Sequence, residues 1–417
     1  MILAADLGTG SLKAGLLAPD GTLTARVRIP YPHPSGLGRE DFDSFQWEDA
    51  FREALKRLPP ARLSAVALSG NGPTLVPCDA AGIPLAPADL WLQNRSIRHE
   101  GTDSYYLPKA AWLKAHDHGT WKNTRILLSC PEWLQFRLTG RPVMVLPNES
   151  FRRYIWDDRQ LSAYDLDAGL FPEVVPMGSI VGGVTGNASV RFGLPVGLPL
   201  VAVGSDFMAA LLGSGAIEPG MVCDRAGTSE GINYCASHPS GDKRLRDLPH
   251  VVEGLWNAAV ILSSTGAVFE WYRRLTGQVN RSYEETLSAV ADTTPGQRAP
   301  LFFPGPRGDV LWEFGGGSFH LLEPGHGPAE MGRAVMEAIG FAVRRGVELL
   351  EAAGLPVVAM RVTGGQARGR VWNQMKADIV GKQLLIPDIE DAELAGAAAC
   401  ASAALGRSEN ILEASCN

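Results

Sequence analysis

The sequence predicts an α/β protein in which one pattern of strands and helices occurs twice. Short apolar segments with strand character alternate with amphipathic helical segments, which is typical of mixed α/β domains. The 417 residues exceed the size at which one hydrophobic core stops growing. A second cycle of strand, helix and strand begins near Leu200. We therefore expect two domains, residues 1–217 and 218–417.

The first cycle begins with a strand meander over residues 2–29, in which the turn sequences GTGS and PDG separate three apolar runs. The apolar stripe of residues 47–58 predicts a helix with Asp43 or Ser44 as its cap. A helix is also expected over residues 129–138, because Pro131 suits a first helical turn.

The second cycle begins with the strand LVAVGSD, the short helix FMAALLGSGA and a strand, turn and strand over residues 221–237. The longest predicted helix covers residues 329–354 and ends at Gly354. VAMRVTGG is then a strand running into a glycine turn, and residues 391–405 form a helix of small residues. We expect GGGSF, residues 315–319, to be a flexible loop.

Composition excludes several function classes. The net charge of -7 argues against nucleic-acid binding, which depends on a basic surface. No run approaches the ~20 apolar residues of a membrane span, and the N-terminus lacks a basic leader, so we expect a cytoplasmic protein. The six cysteines are scattered and without metal-ligand spacing, which indicates free thiols.

The first motif is a tight turn of glycines and hydroxyl residues at the end of a strand. Gly8 and Gly10 let backbone N–H groups approach anionic oxygens, while Thr9 and Ser11 add hydroxyl donors. Asp6, at the strand end, is a candidate partner for Mg²⁺. A plain hairpin explains this segment alone equally well.

A second turn of the same kind contains Gly227 and Thr228, again between two strands. Two such turns in corresponding places favour paired phosphate sites over two chance hairpins. Asp206 follows an apolar strand and is a candidate general base for a hydroxyl that attacks a phosphoryl group. The alternative is that Asp206 only caps the following helix.

A third glycine turn ends a strand at Gly364 and Gly365. With Gln366 and Asn373 behind it, this turn is a candidate nucleotide site. A simple connection from strand to helix is the alternative.

In order along the chain, these segments resemble the FGGY carbohydrate kinases of the actin, hexokinase and Hsp70 ATPase superfamily. DLGT at 6–9 and AGTSEG at 226–231 resemble the two phosphate motifs, and residues 68–96 resemble the sugar-site hairpin. VAVGSDFMAALLGSGAIEPG is similar to the segment that holds the catalytic Asp. VTGGQARGRVWNQMKADIVGKQL, with DAELAGAAACA behind it, is similar to the C-terminal motif where the adenosine of ATP lies.

The resemblance implies two actin-like (ribonuclease H-like) domains with a duplicated core and a cleft between them, and ATP and Mg²⁺ as cofactors. It makes Asp206 the catalytic base and a metal partner together with Asp6. The residues implied at the cofactor are Gly8, Thr9, Gly10, Ser11, Gly227, Thr228, Gly364, Gly365, Gln366 and Asn373. Those implied at the substrate are Asn71, Gly72, Pro73, Trp91, Asp206 and Phe207.

The chain departs from the family pattern at the substrate. Asn71-Gly72-Pro73 stands where xylulokinase-like members have a Met-His pair after the hairpin Gln, and Phe207 stands where Asn or Gln usually follows the catalytic Asp. Such changes alter substrate identity more than reaction class. Residues 302–317 also differ from the usual loop, which suggests a trimmed lid or a lost surface insertion.

The predicted function is ATP-dependent phosphorylation of a hydroxyl of a small sugar, ketose or polyol, with a ketopentose favoured by the family. A catalytically silent, FGGY-like ligand-binding or regulatory protein is the alternative. An Hsp70-like ATPase would need a peptide-binding domain, which no stretch resembles. A homodimer is an option that the sequence leaves open.

Overall fold

The structure is a computed structural model that describes residues 1–32, 41–91, 93, 95–296, 299–306, 314–387 and 391–416. Contacts group the chain into two units. The first unit comprises Met1–Gly215, Val251–Glu253 and Ile389–Asn417, and the second comprises Ala216–His250 and Gly254–Asp388. The predicted limits, 1–217 and 218–417, stay a prediction. In the structure the C-terminal residues pack with the first unit.

The described residues form eighteen strands. They are β1 (Ile2–Leu7), β2 (Ser11–Leu17), β3 (Leu23–Pro30), β4 (Ala65–Gly70), β5 (Val76–Cys78), β6 (Ile126–Leu128), β7 (Val143–Leu146), β8 (Glu173–Pro176), β9 (Ile180–Gly183), β10 (Pro199–Ser205), β11 (Val222–Ala226), β12 (Glu230–Ala236), β13 (Arg246–Pro249), β14 (Trp256–Leu262), β15 (Leu301–Pro306), β16 (Phe314–His320), β17 (Ala359–Thr363) and β18 (Gln383–Leu385).

Thirteen α-helices lie within the described residues. They are α1 (Phe45–Arg57), α2 (Leu107–His116), α3 (His118–Asn123), α4 (Cys130–Thr139), α5 (Asp158–Ala163), α6 (Gly186–Phe192), α7 (Asp206–Gly213), α8 (Thr265–Leu275), α9 (Tyr283–Ala291), α10 (Pro328–Ala352), α11 (Arg370–Val380), α12 (Ala392–Ala404) and α13 (Ile411–Cys416).

Each unit is built on a six-stranded mixed sheet. The strand order is β3-β2-β1-β4-β10-β9 in the first unit and β13-β14-β12-β11-β17-β18 in the second. In both sheets a three-stranded antiparallel meander is followed by two strands parallel to its first strand. The predicted α/β fold with a duplicated actin-like core is therefore confirmed.

The central strands are apolar because both of their faces are covered. Every residue of β1 and β4 is buried, as expected for strands inside a mixed α/β sheet. In the second unit the long helix α10 approaches the sheet closely at Gly346, where an added Cβ would lie 2.7 Å from Ile232 and 3.2 Å from Val260. Glycine at this position permits the close contact of helix and sheet.

In the first unit α7 and α12 cross at two glycines. A Cβ on Gly213 would lie 1.9 Å from the Ala392 carbonyl oxygen, and one on Gly396 would lie 1.9 Å from that of Ala209. The backbones of the two helices are therefore in direct contact. This crossing attaches α12 to α7, the helix that begins at Asp206.

Two predictions concern the segment before α10. Residues 315–319 belong to strand β16, so the expectation of a flexible loop was wrong; pairing with β15 orders the glycines. Of the segment proposed as a trimmed lid, residues 302–317, the stretch 307–313 lies outside the described residues, and the rest belongs to β15 and β16. The described cysteine side chains, at positions 78, 130, 223, 235 and 400, are buried and are not in disulfide bonds. Among the described residues no helix has the length and hydropathy needed to cross a membrane.

Candidate active site

Three parallel strands of the first unit end side by side and bring together segments that are far apart in sequence. Leu7 of β1 and Ser205 of β10 are both paired with Gly70 of β4. The first glycine turn, the Asn71–Pro73 segment and Asp206 follow these three strand ends. The carboxyl edge of an α/β sheet is the usual position of a ligand site.

A backbone hydrogen bond closes the first glycine turn, and this bond does not use the N–H groups of Thr9 and Gly10. The Gly8 N–H donates to the Ser11 carbonyl at 3.1 Å, so this amide is used within the turn. The Ser11 hydroxyl accepts a hydrogen bond from Arg28 Nε at 2.9 Å. Thr9 and Gly10 form the tip of the turn and are the better placed candidates for a phosphate.

Asp6 is buried beneath this turn. Its Oδ1 accepts a 3.0 Å hydrogen bond from the Ser69 hydroxyl, and its Oδ2 lies 3.9 Å from Lys13 Nζ. Asp6 and Lys13 are directly opposite each other on β1 and β2. A cross-strand pair of opposite charges is a stabilising arrangement.

Two carboxylates at the start of α12 complete what we name the Lys13 cluster: Lys13, Asp6, Asp391 and Glu393. Lys13 Nζ lies 3.5 Å from Asp391 Oδ2 and 3.2 Å from Glu393 Oε2. Burial raises the pKa of Asp6 to about 8, against the effect of Lys13, and the charges of Glu393, Asp206 and Asp391 raise it further. The edge of the sheet thus carries more negative than positive charge.

Asp206 is the first residue of α7 and is half-buried. Ser205 occupies the N-cap position, so the structure does not give Asp206 the cap position that was the alternative to a catalytic role. Its charge acts on Asp6 across the strand ends. A carboxylate at the start of a helix, close to these strand ends, is a candidate general base, and this role stays a prediction.

Asn71 is buried, and its side chain is bound to the protein at both ends. Its Nδ2 donates to the Leu7 carbonyl at 2.9 Å and to the Gly8 carbonyl at 3.3 Å, while its Oδ1 accepts from the Thr74 hydroxyl at 2.8 Å. This geometry supports a role in positioning the first glycine turn. The substrate contact predicted for Asn71 stays a prediction.

Trp91 links the predicted substrate and phosphate residues. The indole is 44% exposed, and its Nε1 donates to the Thr9 hydroxyl at 3.3 Å. The preceding residues are held by buried Lys109, which lies 3.2 Å from Asp89 Oδ1 and donates to the Leu90 carbonyl at 2.8 Å. The ring of Trp91 is thereby fixed beside the first turn.

Gly72, Pro73 and Phe207 are half-buried. The Cβ position of Gly72 lies 3.5 Å from Ser205 Cβ, which places this glycine next to the residue that precedes Asp206. The strand register thus brings Gly72 and Asp206 to one part of the edge, and Phe207 follows Asp206 in α7. Their roles at a substrate stay predictions.

The turn of the second unit is also closed by a backbone hydrogen bond, with one residue fewer between donor and acceptor than in the first turn. The Gly227 N–H donates to the Ser229 carbonyl at 2.9 Å, and the Thr228 carbonyl accepts from the Ala267 N–H at 3.1 Å. A Cβ on Gly266 would lie 2.2 Å from the Gly227 carbonyl oxygen. The N-terminus of α8 is therefore packed directly against this turn.

The other candidate nucleotide residues of the second unit gather at the same place. Gln366 Nε2 donates to the Gly227 carbonyl at 3.1 Å, and a Cβ on Gly364, whose φ is +86°, would lie 2.5 Å from the Ala226 carbonyl oxygen. Asn373 Nδ2 donates to the Ala367 carbonyl at 2.6 Å, behind the short helix that contains Gly365. The carboxyl ends of β11 and β17 hold both groups.

A second buried charge group, which we name the Lys376 cluster, consists of Lys376, Asp224 and Glu230. Lys376 Nζ lies 3.0 Å from Asp224 Oδ2 and is also paired with Glu230 Oε1. All three side chains are at most 1% exposed. Burial, and then the charge of Glu230, raise the pKa of Asp224 to about 8, against the effect of Lys376.

The described residues fit a nucleotide and a divalent cation. Gln366 Oε1 and Asn373 Oδ1 are buried acceptors without a hydrogen-bond partner among the described residues, so they suit the donors of a nucleotide. The surplus of carboxylates in the Lys13 cluster suits a cation such as Mg²⁺. No group of three or more His, Cys, Asp or Glu with metal-site geometry occurs in the described part of the chain.

Sequence reasoning missed several residues that the structure brings to these sites. They are Lys13, Ser69, Asp391 and Glu393 in the first unit and Thr265 and Gly266 in the second. The Ser-Thr-Gly sequence at the start of α8 is a local indication of an anion-binding helix N-terminus. Two partners of Lys13, Asp391 and Glu393, carry no such indication, because they lie about 380 residues away along the chain.

Comparisons with known proteins agree with this geometry. The model of the FGGY family of carbohydrate kinases, C-terminal domain, matches residues 225–405, and that of the N-terminal domain matches residues 100–213. A xylulose kinase from Escherichia coli is 26% identical over 92% of this chain and 86% of the relative. A glycerol kinase from Gloeobacter violaceus is 27% identical over 97% of this chain and 88% of the relative.

Solved structures show the same fold. A xylulose kinase from Rhodospirillum rubrum matches with a TM-score of 0.76 at 23% identity, over 99% of this chain and 91% of the other. A Plasmodium falciparum glycerol kinase, solved with ADP, matches with a TM-score of 0.78 at 16% identity, over 100% of this chain and 91% of the other.

Proposed function

The chain belongs to the FGGY family of carbohydrate kinases, and on that basis we propose that it transfers the γ-phosphoryl group of ATP to a hydroxyl of a small sugar, ketose or polyol. A xylulose-kinase-like activity on a ketopentose is the favoured form. The observation that carries the proposal is the edge of the first unit, where Asp206 lies among the charges around a turn suited to phosphate.

In this proposal Asp206 accepts the proton of the acceptor hydroxyl as that oxygen attacks the γ-phosphorus. A positioned base typically contributes ~10²–10⁴ in rate. The tip of the first turn, Thr9 and Gly10, holds the phosphate that is transferred, and Asn71 keeps the turn in place. Trp91 covers the turn and helps to exclude water from the reacting phosphate.

The second unit also carries residues that we propose as nucleotide contacts. The Gly227–Thr228 turn and the N-terminus of α8 supply backbone donors for phosphate, and Gln366 and Asn373 accept from the nucleotide. Asp6 and Asp206 are the proposed partners of Mg²⁺. When bound, Mg²⁺ would neutralise charge on the transferring phosphoryl oxygens.

A catalytically silent binding protein is the second candidate, because Gly72 and Phe207 provide no hydrogen-bonding side chain at the proposed substrate site. The structure keeps both glycine turns and the proposed base, so we favour the kinase.

Coupled ADP release, measured across pentuloses, hexuloses, aldonates and polyols, tests the proposal. We expect sugar-dependent turnover from at least one of these classes. Asp206→Asn, which keeps the size of the side chain, should lower kcat about 10²-fold or more. Asp158→Asn, an exposed position in α5, is the matched control and should leave turnover unchanged.

Two results would contradict the proposal. Absence of sugar-dependent turnover, combined with calorimetric sugar binding, would establish the silent alternative. Equal turnover by the wild type and Asp206→Asn would remove Asp206 from the mechanism.

A further inference from the structure

The proposed substrate edge of the first unit carries two hydroxyl groups that sequence reasoning did not assign. The Cβ position of Gly72 lies 3.7 Å from the Tyr106 hydroxyl and 3.9 Å from the Ser129 hydroxyl, as well as 3.5 Å from Ser205 Cβ. Two polar groups therefore face the space beside Gly72, next to the residue that precedes Asp206. Glycine itself contributes no side chain there.

The Tyr106 ring is held rigidly, so that its hydroxyl has a fixed position. The ring packs edge-on against Trp156, with 5.8 Å between the ring centroids. The backbone N–H groups of Tyr106 and Leu107 both donate to the Ser104 hydroxyl at 3.1 Å. The start of α2 thereby fixes Tyr106, which is half-buried.

The hydroxyl of Ser129 connects Tyr106 to a buried carboxyl group. Burial raises the pKa of Tyr106, and interaction with the Ser129 hydroxyl partly opposes that effect. Ser129 also interacts with Glu132, whose pKa burial raises to about 7. Glu132 Oε1 accepts from the Val145 N–H at 3.4 Å, while Oε2 has no hydrogen-bond partner among the described residues. Tyr106, Ser129 and Glu132 thus form a group of interacting polar side chains, and the hydroxyls of Tyr106 and Ser129 lie beside Gly72.

We propose that the Tyr106 hydroxyl, supported by Ser129, is a specificity-determining group that hydrogen-bonds a substrate hydroxyl other than the one that is phosphorylated. Because Gly72 has no side chain, the position that a Cβ would take, 3.7 Å from the Tyr106 hydroxyl and 3.5 Å from Ser205 Cβ, is left for a substrate atom. A phenol can both donate and accept a hydrogen bond. It therefore suits a substrate hydroxyl, as in a ketose or polyol, better than it suits a substrate carboxylate, which only accepts. This inference rests on the proposed function, because it assumes that the substrate binds at this edge.

The test compares substrates that differ by one hydroxyl. The wild type, Tyr106→Phe and Ser129→Ala are assayed with the best sugar substrate and with its deoxy analogues, each of which lacks one non-reacting hydroxyl. We expect Tyr106→Phe to lower kcat/KM for the full sugar about tenfold, mainly through KM, and to leave one deoxy analogue unaffected. Ser129→Ala should cause a smaller loss of the same discrimination.

Tyr105→Phe is the matched control, because Tyr105 stacks on Tyr154 instead, with ring centroids 5.6 Å apart. Thermal melting of each variant checks that it folds. Equal losses on the full sugar and on every analogue would show a merely structural role and overturn the inference. So would unchanged discrimination in Tyr106→Phe.

Calorimetric binding of the same sugars separates this inference from the kinase proposal. If the wild type binds sugar without turnover, the kinase proposal fails, but loss of discrimination in Tyr106→Phe binding would still support the inference. If the wild type binds none of the sugars, the inference is overturned as well.

Discussion

The two units use the same sheet architecture, but they differ in whether a strand or a helix carries the lysine of the charge cluster. In the Lys13 cluster the cation is on strand β2, and two of its carboxylates, Asp391 and Glu393, come from the start of helix α12. In the Lys376 cluster both carboxylates are on strands β11 and β12, and the cation comes from helix α11. The duplicated core therefore repeats the packing of helix against sheet, whereas the positions of the charged residues differ between the two units.

The two clusters also differ in their access to solvent. Lys13 is 28% exposed and lies beside a glycine turn, whereas Lys376 is 1% exposed. Removal of one partner of a buried ion pair leaves an uncompensated buried charge and is strongly destabilising. A cluster at a sheet edge, with surplus carboxylates, can instead interact with a ligand. We infer that the Lys376 cluster serves stability and the Lys13 cluster serves function.

The largest expected effect is the loss of stability on removal of Lys376. Lys376→Met leaves Asp224 and Glu230 buried without a cation, and should lower the free energy of unfolding by about 3–5 kcal/mol. Urea denaturation followed by circular dichroism measures this loss. Lys382→Met is the control, because Lys382 pairs with Glu351 near the surface and such pairs contribute about 1 kcal/mol or less.

Addition of Asp224→Asn to Lys376→Met should restore part of the lost stability, since it removes one of the stranded carboxylates. A Lys376→Met protein as stable as the control would refute the structural role of this cluster.

The next effect is kinetic and concerns Lys13. Lys13→Met removes the cation beside the first turn, and should lower kcat/KM for ATP about 10²-fold, as loss of a single electrostatic contact to a reacting group does. Its loss of stability should be smaller than that of Lys376→Met, because the Lys13 side chain is partly exposed. Steady-state kinetics at saturating sugar, with melting curves, measures both quantities.

Lys56→Met, at the exposed end of α1, is the control for Lys13→Met. Should Lys13→Met lose stability as Lys376→Met does and keep its kinetic constants, the distinction between the two clusters would be wrong.

The smallest effect concerns Glu132, a buried carboxyl group without an ion-pair partner among the described residues, and it extends the comparison to pH. Burial raises the pKa of Glu132 from 4.5 to about 7. Its contribution to stability is therefore fully present below pH 4.5 and is lost as the pH rises towards 7. Glu132→Gln keeps an acceptor for the Val145 N–H and removes the loss of stability that accompanies the rise in pH. Relative to the wild type, the variant should gain about 2 kcal/mol between pH 5 and pH 8.

Unfolding curves of Glu132→Gln and the wild type at these two pH values test the prediction. The difference between the proteins is the relevant quantity, since other groups titrate in both. A pH-independent difference would show that Glu132 has an ordinary pKa in the folded state.

Local sequence patterns predicted much of the fold and part of the site. The helix expected over residues 129–138 is α4, Cys130–Thr139, with Pro131 in its first turn. The longest helix is α10, Pro328–Ala352, as its apolar spacing indicated. The glycine and hydroxyl residues at 8–11 and 227–229 form turns between paired strands in both units. These features depend on neighbours within a few residues.

The sequence by itself determined the α/β class, the repeated core, the glycine turns and the candidate base, because each follows from short-range periodicity or backbone preference. Only the tertiary structure decided which distant side chains meet. It pairs Lys13 with Glu393 and Lys376 with Asp224, and it places the Tyr106 hydroxyl beside Gly72. The first two pairs span 380 and 152 residues. Such pairings depend on the packing of helices against sheets. The sequence around one residue does not indicate which distant residue will contact it in the folded protein.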